Sequence, residues 1–104
     1  MKQFYQGDIP ILELKEKKGL EFKKMKNNVV VAEGETTGHF HTVKVKDRAD
    51  VEIAQDANGY YFKVNSGEAV ITHPEHKEIT FGQGLWYVGR QFEYDELEER
   101  RVLD

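Results

Sequence analysis

Three runs of alternating apolar and polar residues follow one another through the middle of the chain, separated by loops of only two or three residues. They are Val51 to Ala57, Tyr60 to Asn65 and Ala69 to His73, broken by Asn58-Gly59 and Ser66-Gly67. Side chains on a strand alternate between faces, so a tight turn converts such alternation directly into register. Asn-Gly suits a two-residue type I′ hairpin, which predicts Ala57 opposite Tyr60, Gln55 opposite Phe62 and Ile53 opposite Val64. Val51, Ile53, Tyr60, Phe62 and Val64 then share one face, the candidate core, while Glu52, Asp56, Tyr61, Lys63 and Asn65 share the other.

Continuing through Ser66-Gly67 as a second hairpin places Val64 opposite Ala69, Phe62 opposite Ile71 and Tyr60 opposite His73, so that His73 inherits the apolar face. A three-residue loop, Pro74-Glu75-His76, would pair His73 with Lys77, Ile71 with Ile79 and Ala69 with Phe81. A two-residue loop of Pro-Glu would turn Ile79 and Phe81 outward, and proline cannot take the positive φ that a primed turn needs at its first central position. Gly82-Gln83-Gly84 makes the next turn into a strand from Leu85 to Tyr94, whose inward parity stays open.

Upstream, strands are expected at Asn28 to Ala32 and His39 to Lys46, with Ile9 to Leu14 an edge or strand start because of Pro10. Lys15 to Lys26 is too charged for a core and reads as a long loop, with room for one helical turn. Asp95-Glu-Leu-Glu98 has a capping-box pattern, with acids early and Arg100 and Arg101 late, which predicts a short C-terminal helix. The chain therefore reads as all-β, a small meander barrel or sandwich closed by a short C-terminal helix, with residues 1–104 forming one domain. A chain of this length buries roughly 65% of its unfolded surface, enough to fold alone but not to enclose a large cavity.

Composition narrows the functional classes. The formal net charge is -4 and 33% of residues are charged, which argues against a general grip on nucleic acid or acidic lipid. Lys15 to Lys26 is diluted by glutamates and fits a solvated loop better than a nucleic-acid patch. No apolar run is long enough to span a membrane. The absence of cysteine removes disulfides, thiolate metal sites and cysteine nucleophiles together, and with no apolar leader the expected setting is cytoplasmic.

All four histidines fall into two pairs, His39-Phe-His41 and His73-Pro-Glu-His76. Residues i and i+2 of a strand share a face, so His39 and His41 point together, along with Val43 and Val45. Two imidazoles on one strand and a third inward on another match the three-ligand sites that hold Zn²⁺ or a similar divalent ion and leave a position open. His76, Glu35 or Glu75 could complete such a site. Without a cysteine pair or an HExxH motif, a structural polar cluster bonded to backbone carbonyls competes with this reading, as does acid–base or phosphate chemistry without a metal.

Arg90 alternates with Val88 and Phe92. Buried, it would need a carboxylate or an anionic ligand; otherwise it stacks on Trp86 or Tyr94 beside a surface acid. The Gly34-to-Gly38 loop lacks the Gly-Lys-Ser/Thr ending of a phosphate loop and leads into a strand.

Gln6-Gly7-Asp8, Ala32 to His41, His73 to His76, Arg90 to Tyr94 and Arg100 to Asp104 together resemble the motifs of a small uncharacterised prokaryotic and phage family of β-rich proteins. The resemblance spans nearly the whole chain; it implies where the motifs begin and end, and no activity. A weaker likeness is to the cupins, whose first motif also sets His-x-His after a glycine at a strand start. This chain lacks the glutamate that follows there and the second Gly/Pro/His motif.

The expected protein is thus a small soluble β protein with a polar pocket lined by His39, His41 and His73, with His76, Glu35 and Arg90 beside them. A metal-bound water would supply its chemistry if it is an enzyme, and no catalytic residue is assigned. The alternative is a non-catalytic interaction module in which the histidines are structural. Its partner would be a small molecule or another protein chain, a second copy of this one included, and not nucleic acid or membrane.

Overall fold

The structure, a computed structural model, describes residues 2–33 and 38–89. Glu35, Arg90 and the expected C-terminal helix lie outside the described residues. Among the described residues ten strands follow in order: β1 (Gln3–Gln6), β2 (Ile9–Leu14), β3 (Lys23–Lys24), β4 (Val29–Glu33), β5 (Phe40–Val45), β6 (Asp50–Asp56), β7 (Gly59–Ser66), β8 (Ala69–His73), β9 (His76–Phe81) and β10 (Gly84–Gly89). Among the described residues no helix is long and apolar enough to cross a membrane. Lys15 to Lys26 holds the short strand β3 and no helical turn.

The strands form two antiparallel sheets, one of six in the order β1-β2-β10-β7-β6-β3 and one of four in the order β4-β5-β8-β9. Among the described residues neither sheet closes on itself, so the architecture is the sandwich and not the barrel. The sheets share one core: Ile9, Ile11, Val51, Phe62, Val64, Trp86 and Val88 come from the larger, Val31, Val43, Ala69, Ile71 and Phe81 from the smaller. Phe81 binds the layers, with ring centres 5.3 Å from Phe4, 5.4 Å from Phe62 and 4.8 Å from Trp86. Edge-on and tilted contacts of this kind are the favoured geometry of packed aromatic rings.

The core face of β6 and β7 is the one the alternation predicts, yet the register slips by two. Asp56 pairs with Gly59, Gln55 with Tyr60 and Ile53 with Phe62. The loop is therefore Ala57-Asn58, neither of which has positive φ, and it is held by the Asn58 N–H donating to Asp56 Oδ1 at 2.8 Å. A slip of two preserves parity, which is why the faces survive. Gly59 is needed for a different reason than a primed turn. A Cβ there would stand 2.4 Å from the Val88 carbonyl oxygen of neighbouring β10, at φ +144°.

The second expected hairpin does not form: β7 pairs with β6 and β10, whereas β8 pairs with β5 and β9. Ser66-Gly67-Glu68 instead carries the chain from one sheet to the other, and the step from β9 to β10 carries it back. The connectivity is thus a set of hairpins exchanged between layers and not a simple meander. Ile71 does pair with Ile79 and Ala69 with Phe81, but His73 pairs with His76 across a two-residue loop. An irregularity between Ile71 and His73 absorbs the difference and keeps Ile79 and Phe81 facing the core. Ile9 to Leu14 is not an edge: β2 lies between β1 and β10, with Pro10 at its start. Trp86 and Val88 point inward, which settles the parity of β10.

Candidate functional site

The smaller sheet carries its histidines at one end. Thr42 pairs with Thr72 and Val43 with Ile71, and the same register continued by one residue sets His41 of β5 beside His73 of β8. His73 in turn faces His76 at the start of β9. His41 and Val43 share the core-facing parity, so the polar ring sits where the apolar layer ends. His39 precedes β5 and reaches the same spot from the rim.

The four rings are in contact. Ring centres are 4.4 Å apart for His41 and His73, 4.6 Å for His73 and His76, and 6.3 Å for His41 and His76, whose planes are within 9° of parallel. His39 meets His73 edge-on at 5.8 Å. His41 is 2% exposed and His73 9%. Burial, with the neighbouring His73 and His76, lowers the His41 pKa from 6.5 to about 4. The His73 pKa is also lowered, by burial first and then by His76 and His39, with Glu75 pulling the other way. Both rings are therefore held neutral, the form in which imidazole has a free lone pair.

Two hydrogen-bonded anchors come from outside the histidines. Gln6, 2% exposed at the end of β1, lies 2.8 Å from His41 Nδ1 through its Oε1. Its Nε2 donates to the carbonyls of Ile71 and Lys77, each at 3.0 Å. Those carbonyls belong to β8 and β9 on either side of the irregular pairing, so the amide supplies donors where the ladder shifts. The Glu75 N–H donates to His73 Nδ1 at 3.0 Å. His73 Nε2 is buried without a hydrogen-bond partner among the described residues. His39 Nδ1 is 3.4 Å from Glu75 Oε1, near enough for an ion pair but not aligned as a hydrogen bond.

Of the residues singled out in the sequence, the structure brings His39, His41, His73 and His76 together and adds Glu75 at the rim. Glu35 and Arg90 fall outside the described residues. As they stand, no three His, Asp or Glu side chains among the described residues are arranged to hold a metal ion. Gln6 and Gly7 escaped the sequence reading as site residues. The available signal was an amide on the inward parity of a short strand, two residues after Phe4.

Residues 5–91 match the model of a family described as a domain of unknown function, DUF8820. The chain belongs to the DUF8820 family. The DUF8820 match covers Gln6, Gly7 and all four histidines, so the whole described site lies inside the family domain. It agrees with the expected uncharacterised family, and it carries no link to cupins or to phage. No curated protein and no solved structure matches this DUF8820 chain.

Proposed function

We propose that the protein binds a divalent transition-metal ion on His41, His73 and His76, with His39 and Glu75 at the rim. One observation carries this reading. The separations of 4.4, 4.6 and 6.3 Å make a nearly right-angled triangle, so a single point lies about 3.2 Å from all three ring centres. A metal–nitrogen bond of about 2.0–2.1 Å, plus roughly 1.1 Å from the nitrogen to its ring centre, gives the same length. That point lies close to the midpoint of the His41–His76 line. With His41 held by Gln6, ligation requires the His73 and His76 rings to rotate and His76 to swing off that line toward tetrahedral angles.

The donor set narrows the ion. Neutral imidazoles suit zinc, nickel and copper, whereas magnesium and calcium prefer oxygen ligands. Three protein ligands would leave positions for water or a small oxygen ligand.

A second reading is favoured by a specific contact. The Glu75 N–H occupies His73 Nδ1, and a neutral ring then carries its proton on Nε2, where a ligand lone pair would be needed. In that reading the imidazoles are a structural polar layer; in the metal reading the Glu75 contact is released on ligation.

The discriminating experiment uses untagged protein stripped with chelator, then titrated with Zn²⁺, Ni²⁺ and Cu²⁺ while metal content and melting temperature are followed. One ion per chain and a melting temperature that rises with metal are expected, with about 2.7 kcal/mol of stabilisation at a hundred times Kd. Identical melting in chelator and in each metal, with no retained ion, would leave the structural layer as the answer.

A further inference from the structure

We propose that Gln6 is a positioning residue that sets the tautomer of His41 and thereby selects Nε2 as the atom it offers to a ligand. This rests on the metal reading for its purpose, but its evidence is independent of any ion.

The orientation of the Gln6 amide is fixed by what it touches. One end lies 3.0 Å from two main-chain carbonyls, those of Ile71 and Lys77. Carbonyl oxygens only accept, so this end must be the NH₂ group with its two donors, and the amide cannot be turned around. The other end is then the oxygen, 2.8 Å from His41 Nδ1. Oxygen also only accepts, so Nδ1 carries the proton. In the neutral ring, a proton on Nδ1 leaves Nε2 as a lone pair.

That is the less common tautomer of a free histidine side chain, and here it is dictated by two strands that the histidine does not belong to. A metal-binding imidazole held through its other nitrogen by a fixed acceptor is the usual arrangement around bound ions, because it fixes ring orientation and raises basicity. Gln6 brings this acceptor from the larger sheet to a histidine on the smaller one. The neighbouring Gly7 serves a second ring, since its bare Cα leaves space for His76.

The test reads the tautomer directly. Long-range ¹⁵N–¹H correlation on metal-stripped, ¹⁵N-histidine-labelled protein at pH 7 should show His41 protonated at Nδ1. Gln6→Met, which keeps bulk and removes both donor and acceptor, should shift His41 toward the Nε2–H form and weaken Zn²⁺ binding about 10–100-fold. Protonation of wild-type His41 at Nε2 would overturn the assignment outright, as would an unchanged tautomer in Gln6→Met. Should Gln6→Met fail to fold, the wild-type spectrum still decides. Because the spectrum is recorded without metal, failure of the metal reading shows separately, as wild type that retains the Nδ1–H tautomer and binds no ion.

Discussion

Gly7 and His76 are in contact across the two sheets: a Cβ added at Gly7 would lie 2.7 Å from His76 Nε2. Gly7 also has φ +63°, a region that costs a residue with a Cβ roughly 1–2 kcal/mol. The colliding atom is the tip of a side chain, so the ring can move aside and the backbone need not. Gly7→Ala should therefore lose about 1–2 kcal/mol in a denaturant titration, yet weaken metal binding more than that loss suggests, because His76 leaves its place. Unchanged metal affinity in a folded Gly7→Ala protein would remove His76 from the ligand set.

The metal-free protein should lose stability on mild acidification. The His41 pKa is about 4 when folded, below its ordinary 6.5. Below pH 6.5 the unfolded chain takes up a proton that the folded chain refuses until about pH 4, so stability falls as pH falls through this window and levels off beneath it. The His41 contribution is roughly 3 kcal/mol over the full window, and His73 adds a loss of the same sign. Denaturant midpoints at pH 7.5, 6, 5 and 4 in chelator check this. His41→Gln should flatten the profile.

The histidines should rank unequally. His41, His73 and His76 define the triangle, while His39 contacts only the His73 ring among them. Alanine at any of the first three should abolish metal-dependent stabilisation, and His39→Ala should leave most of it. Calorimetric titration of the four variants with Zn²⁺ gives the order; His39→Ala as the worst binder would move the ion to the rim.

Ligation by His73 should also be visible on the main chain. Its Nδ1 now accepts from the Glu75 N–H, a bond that Nε2 ligation must give up. Saturating metal should shift the Glu75 amide resonance and speed its hydrogen exchange. A Glu75 amide that stays unmoved while metal binds would assign ligation to the other rings.

At the β6–β7 turn, the two residues of the Asn58-Gly59 pair should behave differently. Gly59→Ala drives a Cβ to within 2.4 Å of a main-chain oxygen that cannot step aside. It should cost on the order of 3 kcal/mol, whereas Asn58→Ala should change stability by less than about 1. Thermal or denaturant melting separates them.

The pattern of what was legible follows from range. Alternation places Val51, Phe62, Val64 and His73 on inward positions whatever their partner strand, so the faces read correctly from neighbours alone. Partner choice does not: the local preference of Ser66-Gly67 for a hairpin gives way to the larger gain from setting Ala69 and Ile71 against Phe62 and Val64 across the core. The Asn-Gly signal misplaces the turn by one residue for a similar reason, since Gly59 answers to β10. His41 and His73 could be found from parity and chemistry. Gln6 offered only its inward parity, because two of its three partners are main-chain oxygens, 65 and 71 residues away, and carry no side-chain signature.

Those separations also govern when the site can exist. Among the described strands the chain crosses four times between layers, after β3, β5, β7 and β9, so neither sheet is a contiguous stretch that could assemble by itself. Gln6 reaches His41 across 35 residues and its carbonyl acceptors across nearly the whole described chain. Contacts this distant in sequence close late, after the shorter loops have formed. Binding at the histidines would thus reward only the finished molecule, and a half-folded chain would hold the same residues without the means to use them.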